Sequence, residues 1–121
     1  YYRQPWLTAG VIRFAAVQLG AAEALFDQTR QYLNQLGRTL DSYQQARLGQ
    51  MAIALESGNL WLRGAADKVA GYAAIFGGYP NLADDRVDEL VAYANMVRTA
   101  IEQICMDTMQ VCERCVGTRG L

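Results

Sequence analysis

Two cysteines close to the C-terminal end have a spacing that can support metal or redox chemistry. Cys112 and Cys115 form a Cys-x-x-Cys motif, and Cys105 lies one heptad before Cys112. Side chains three positions apart share one face of a helix. Tetrahedral zinc needs four ligands, however, and the sequence has no histidine and no fourth cysteine. Redox pairs of this type belong to a strand–helix pattern that the sequence lacks, so small buried apolar residues are the favoured interpretation.

Arg13 is the second candidate, because it lies in the least polar stretch of the chain. In residues 11–26 the only strongly polar side chains are Arg13, Gln18 and Glu23. An unpaired charge in such surroundings is costly. Arg13 therefore either forms an internal ion pair with Glu23 or Glu56, or faces a ligand cavity.

Other catalytic patterns are not found in the sequence. It contains no glycine-rich phosphate loop, no Ser-His-Asp set and no pair of carboxylates placed for acid–base chemistry. On its residues alone, the chain predicts a helical bundle with an oligomeric interface and no chemistry.

Composition limits the class of protein. The 121 residues are 52% hydrophobic and 19% charged, which suits one packed domain. A net charge of −1 without a basic block argues against nucleic acid as a partner. No run approaches the roughly 18 apolar residues of a membrane span. Three cysteines, an odd number, predict no disulfide framework and favour a reducing, cytoplasmic setting.

The elements that must position these residues are all predicted to be helices. Apolar residues recur at helical spacing in three segments, and no segment alternates like a strand. We predict an all-α up-and-down helical bundle of three long antiparallel helices, at about residues 8–36, 42–76 and 84–116 of a single domain spanning 1–121. The predicted core stripes are Ile12, Ala15, Leu19, Ala22, Phe26, Leu33 and Leu36; Leu48, Ala52, Leu55, Leu62, Ala66, Val69, Ala73 and Phe76; and Val87, Leu90, Ala94, Val97, Ile101, Ile104, Val111 and Cys115.

Local signals set the expected helix ends. Pro5 predicts an extended lead-in, and Thr8 is the expected N-cap of the first helix. Gly37 is a natural stop, and Asp41 with Gln44 resembles a capping box for the second helix.

Glycines inside the second predicted helix indicate close packing. Gly49, Gly58 and Gly64 each cost up to about 1 kcal/mol relative to alanine, which makes sense where another helix approaches closely.

The stretch 11–26 is apolar nearly all round, which is typical of a buried helix. Three helices do not enclose it on all sides. We therefore expect a fourth helix or another subunit, in a homo-oligomer that is a dimer or a tetramer. Because the chain begins at Tyr1 without methionine and ends just after a long periodic segment, we also expect it to be an excerpt of a longer protein.

The chain resembles the C-terminal helical domain of acyl-CoA dehydrogenases. The resemblance lies in residues 13–20 (RFAAVQLG), 36–38 (LGR), 43–49 (YQQARLG) and 116–121 (VGTRGL), with 76–87 as a variable insertion. It implies a part of a four-helix bundle, FAD as cofactor and an acyl-CoA-type substrate. The family removes a proton from the α-carbon of an acyl thioester and passes hydride from the β-carbon to the flavin. An electron-transfer flavoprotein then usually reoxidises the flavin.

The resemblance also implies roles for individual residues. Arg38 and Thr39 lie in the turn that meets the FAD of a neighbouring subunit, and Arg13 lies near the substrate end of the pocket. The residues it places at the edge of the FAD site are Arg38, Thr39, Tyr43, Gln44, Arg114 and Gly117.

The resemblance supplies no catalytic base within the chain. The family places a glutamate either just before the first-helix arginine, where this chain has Ile12, or beyond the glycine-rich turn, past Leu121. This portion alone therefore lacks the base. The alternatives are a non-catalytic helical scaffold or inactive family member, and an oxidase-type relative acting on another substrate.

Overall fold

Three helices make up the part of the chain that the computed structural model describes. The backbone is described over residues 4–37, 41–76 and 85–120, and the side chains over 10–37, 41–72 and 86–116. The helices are α1 (Gln4–Gln35), α2 (Ser42–Phe76) and α3 (Asp85–Gly120). Those ranges contain no strand, so the all-α prediction is confirmed. Within them no helix is long and apolar enough to cross a membrane.

Helices α2 and α3 run antiparallel. The amide of Gln44, at the start of α2, reaches the carbonyl of Cys115 near the end of α3, at 3.5 Å. Further along α2, the ring of Trp61 lies 5.7 Å from that of Tyr93, early in α3.

Helices α1 and α3 run parallel and pack along their length. The Cys105 thiol donates to the carbonyl oxygen of Gln18 at 3.4 Å. One to two turns later in both helices, Leu25 packs against the cluster that contains Cys112. Since α2 is antiparallel to α3, the three helices follow the predicted up-and-down order.

Both ends of the first interhelical turn agree with the predicted signals. Gly37 adopts φ 71°, a left-handed value that glycine tolerates, and its N–H donates to the Asn34 carbonyl at 3.0 Å. Asp41 caps α2, because its carboxylate accepts from the Tyr43 N–H at 2.9 Å. The predicted reciprocal half of the capping box is wrong: the Gln44 side chain turns into the bundle instead.

The other ends of α1 and α3 differ from the prediction. Helix α1 already begins at Gln4, so Thr8 is no N-cap; Pro5 lies in the first turn, where its missing N–H leaves no helical bond unmade. Helix α3 continues to Gly120, so the backbone after Val116 is helical where a glycine-rich turn was predicted. Interior glycine weakens a helix by only about 1 kcal/mol, which a long packed helix can absorb.

The predicted stripes of α1 and α3 form the core. Ala15, Leu19, Ala22 and Leu33 of α1 are buried, while Leu36 is 42% exposed. On α3 the buried residues are Val87, Leu90, Ala94, Val97, Ile101, Thr108, Cys112 and Cys115.

The predicted stripe of α2 is wrong by one residue in two places. Ala52 and Ala66 are exposed, whereas their neighbours Met51 and Ala65 are buried at 1% and 0% exposure. One residue turns a helix by about 100°, so α2 presents a different face to the core. The helix is rich in apolar residues on more than one side, and periodicity alone did not select the buried one.

Two of the three glycines inside α2 lie at close contacts. A Cβ at Gly58 would be 2.7 Å from Leu19 Cδ1 of α1, and one at Gly64 would meet the Tyr93 hydroxyl of α3. The close-approach prediction is confirmed there and wrong at Gly49, where nothing lies within 4 Å.

Candidate functional site

Those residues of the predicted FAD edge that the structure describes belong to one end of the bundle, where α2 begins and α3 ends. Arg38 and Thr39 lie outside the described residues. Tyr43, in the first turn of α2, is 77% exposed and presents its ring to the surface. Its backbone N–H is held by the cap at Asp41, so the ring is attached to a fixed helix start.

Gln44 lies next to Tyr43 but points inward. Its side chain is buried, and Nε2 donates to the Cys115 carbonyl at 3.5 Å, the long limit of a hydrogen bond. Its Oε1 is buried without a hydrogen-bond partner among the described residues. An unpaired buried oxygen typically costs about 1–3 kcal/mol, so this amide is poorly satisfied by the bundle itself.

The α3 side of this end carries Arg114 and Gly117. The Arg114 side chain is exposed, and its backbone carbonyl accepts from Arg47 Nη1 of α2 at 3.0 Å. Gly117 lies within α3 and has helical backbone. The structure therefore brings Tyr43, Gln44 and Arg114 to the same end.

Arg13 belongs to the opposite end of the bundle. It precedes the end of α1 at Gln35 by an axial distance of about 33 Å, at 1.5 Å per residue. Its side chain is exposed. Among the described residues Arg13 forms no ion pair with either predicted partner, Glu23 or Glu56. The Glu23 carboxylate accepts from Asn59 Nδ2 at 3.0 Å. Arg13 is thus available to a ligand or another chain but cannot share a pocket with Gln44 of the same chain.

A sulfur-rich cluster lies between the three helices beside this end. Met51 of α2 and Cys112 and Cys115 of α3 are buried together with Leu33 of α1. The Cys112 thiol donates to Met51 Sδ at 3.2 Å. Burial raises the pKa of the Cys112 thiol, and a hydrogen bond with Thr29 partly opposes that shift.

Cys115 has a charged neighbour as well. Burial raises the pKa of its thiol; the Arg47 guanidinium acts to lower it and Cys112 to raise it. The Cys-x-x-Cys motif was predicted to be buried, which is confirmed. The nearby Met51 was missed, because its contact with Cys112 joins two helices and local spacing does not reveal it.

An apolar face of α1 is uncovered in the described part of the chain. We call it the outer face of α1; it consists of Phe14, Ala16, Val17, Gly20, Ala21 and Ala24, all exposed. Phe14 is 58% exposed and Val17 is 69% exposed. The stretch 11–26 is therefore covered on one side only, by α2 and α3.

A groove between the later half of α2 and the early half of α3 was not predicted. It has a volume of about 490 Å³ and is lined by Lys68 and Tyr93 among others. Lys68 Nζ lies 4.9 Å from the centroid of the Tyr93 ring. Cation–π pairs of this kind are common surface contacts, and none of the described residues predicted to form a site lines the groove.

Comparison with protein-family models, with curated proteins and with solved structures found no match. The relation to acyl-CoA dehydrogenases therefore stays a prediction from the sequence.

Proposed function

We propose that this chain is the C-terminal helical-bundle portion of a FAD-dependent, acyl-CoA dehydrogenase-like oxidoreductase. In this proposal it supplies the packing between subunits and one edge of the FAD site. The observation that carries the proposal is the outer face of α1, where Phe14 and Val17 are 58% and 69% exposed. Apolar faces of this kind mark sites of interaction, as a bundle inside a larger enzyme requires.

The side chains at the Gln44 end fit the edge of a dinucleotide cofactor. Tyr43 offers an exposed ring for stacking, Arg114 an exposed cation for phosphate, and Gln44 a buried oxygen that lacks a donor. Arg38, Thr39 and Gly117 belong to the same proposed edge by resemblance. When bound, FAD would supply the acceptor for the hydride; these residues would hold and orient it.

The proposal gives Arg13 a separate place. It lies about 33 Å along α1 from the Gln44 end, so the two ends would belong to different sites of an oligomer. Arg13 would face the polar end of an acyl-thioester substrate. Ile12 is a hydrocarbon and cannot accept the α-proton, so a carboxylate from another part of the enzyme must do so.

A non-catalytic helical scaffold, or an inactive relative, is the second candidate. The inward turn of Gln44 favours it, because the amide is used within the bundle and not at its surface. Ile12, at one of the two positions of the family's base, favours it as well.

The test is to purify the full-length protein that contains this chain and record its absorbance spectrum. We expect the bands of oxidised flavin, and their anaerobic bleaching when acyl-CoA thioesters are added. A colourless protein that binds no added FAD would refute the flavoenzyme and leave the scaffold. Turnover that needs oxygen and no acyl-CoA would identify the oxidase-type relative.

A pair of arginine variants locates the cofactor edge. Arg38→Ala removes a charge-assisted hydrogen bond worth about 1.5–3 kcal/mol. The dissociation constant of FAD should therefore rise by roughly tenfold or more. Arg63→Ala, an exposed arginine midway along α2, is the matched control and should retain FAD. If both variants retain FAD equally, the turn that contains Arg38 does not contribute to the proposed FAD site.

A further inference from the structure

Sulfur atoms are concentrated in one layer of the bundle. The chain has three cysteines and four methionines. Met51, Cys112 and Cys115 form three of the four fully buried members of one cluster. Met106 and Met109 line the adjoining cavity with Cys112. Cys105 and Met96 lie outside this cluster and cavity, so five of the seven sulfur atoms lie in or beside them.

The donors in this layer are of one chemical kind. Thiolates and thioethers are soft ligands that select Cu(I) over the harder divalent cations. Zinc was excluded by the lack of a fourth ligand, and the described residues contain no group of three His, Cys, Asp or Glu side chains able to hold a metal. Cu(I) has no such requirement, because it accepts thioether sulfur as well as thiolate. Met51 provides such a thioether, because its Sδ lies 3.2 Å from the Cys112 Sγ.

We propose that Met51, Cys112 and Cys115 form a binding site for one Cu(I) ion. The two cysteines lie one turn apart on the buried face of α3 in the same cluster as Met51, and Met51 of α2 contacts Cys112. The site is independent of the proposed flavin chemistry and uses none of its residues.

The charge and proton balance of this site can be stated. A cysteine thiol gives up its proton when it binds a metal ion as the thiolate. Binding releases one proton from each cysteine to solvent, and the ion keeps its +1 charge without electron transfer. Two thiolates and one Cu(I) leave a net charge of −1. The Arg47 guanidinium, which acts on Cys115, offsets that charge.

The neighbouring cavity provides a route for the ion. It has a volume of about 360 Å³, lies between α1 and α3, and Cys112 is one of its lining residues. Met106 and Met109, both 54% exposed, stand beside it. Exposed thioethers can take up Cu(I) at the surface and pass it to thiolates, which bind it more tightly.

The test is an anaerobic titration of the 121-residue chain with Cu(I), in competition with a chelator that absorbs when it holds Cu(I). We expect one ion per chain and three sulfur neighbours in its X-ray absorption spectrum. Met51→Leu keeps the volume of the side chain and removes the thioether, so the fold should survive. Its affinity for Cu(I) should fall by about tenfold or more, a change that the titration resolves.

Cys105→Ser is the matched control, because Cys105 lies outside the cluster, and its affinity should equal that of the wild type. Replacing Cys112 and Cys115 together with alanine should abolish the one-to-one complex. Unchanged affinity in Met51→Leu, or loss of binding only when Met106 and Met109 are replaced by leucine, would overturn the site.

Discussion

Gln44 is the residue whose surroundings fit least well with a purely structural role. Its amide nitrogen reaches a carbonyl at 3.5 Å, and its amide oxygen is buried without a partner among the described residues. A buried polar group that the fold does not satisfy is costly, and such costs are tolerated where a ligand completes the bonding. The unpaired oxygen is the feature that the proposed cofactor edge would use, whereas the inward hydrogen bond of the amide nitrogen is the feature that favours the scaffold.

Replacing Gln44 with methionine should make the isolated chain more stable. The change removes an unpaired oxygen, whose burial costs about 1–3 kcal/mol, and gives up only a long hydrogen bond. We expect the free energy of unfolding in urea to rise by about 1 kcal/mol. Gln45→Met, at the exposed neighbouring position, should leave it unchanged. A clear loss of stability in Gln44→Met alone would mean that the amide is well bonded in the native state.

The sequence predicted which residues are chemically unusual better than it predicted their neighbours. It singled out Arg13 for being a charge among apolar residues, but offered Glu23 as its partner, which binds Asn59 instead. It identified the cysteine pair and could not see Met51, since that contact joins residues from two helices. Contacts between helices depend on how each helix is rotated, which local spacing does not fix.

At the scale of the helix, the glycines of α2 lie in two kinds of surroundings: Gly58 is closely packed and Gly49 is open. Leu19 of α1 is buried at 1% exposure and lies against Gly58. It cannot move away without disturbing the core between α1 and α3. A Cβ at Gly49 would meet nothing within 4 Å. The loss of helix stability caused by this glycine is therefore not offset by close packing among the described residues.

Alanine at these two positions should therefore have opposite effects. In Gly49→Ala the helix gains about 0.5–1 kcal/mol, and the free energy of unfolding should rise by that amount. In Gly58→Ala the same gain is opposed by overpacking against Leu19, which costs about 1–3 kcal/mol, so stability should fall. Thermal or urea unfolding of the two variants measures both. A stabilising Gly58→Ala would show that α1 and α2 separate easily.

The helical type of all three segments and the bounds of α2 followed from periodicity, and the rotation of α2 did not. Helix α2 begins and ends at the predicted residues, Ser42 and Phe76. Its buried face is nevertheless turned, because Ala52 and Ala66 were chosen in place of Met51 and Ala65. Helices with apolar residues on several sides can be packed in several ways. The partner surfaces of α1 and α3 decide between them.

The whole molecule leaves its most apolar helix half covered. Helix α1 packs its Ala15 and Leu19 side against α2 and α3 and leaves the outer face exposed, with Val17 at 69%. A bundle of three helices has no fourth element to place there within the described residues. Fully covering a valine side chain is worth about 1.5–3 kcal/mol, so association through this face is favourable.

We expect the 121-residue chain to self-associate through the outer face of α1. Val17→Glu adds a charge at the centre of that face and should raise the dissociation constant by about tenfold or more. Because the position is exposed and glutamate favours helices, the stability of the monomer should not fall. Ile53→Glu is the matched control, since Ile53 is 73% exposed on α2 and outside the face. Sedimentation velocity over a range of concentrations measures the association of each variant. The proposed interface on α1 is wrong if the wild-type chain is a monomer at every concentration. It is also wrong if Ile53→Glu dissociates the assembly and Val17→Glu does not. If Val17→Glu alone yields monomers, the all-round apolar character of residues 11–26 is explained by a neighbouring subunit.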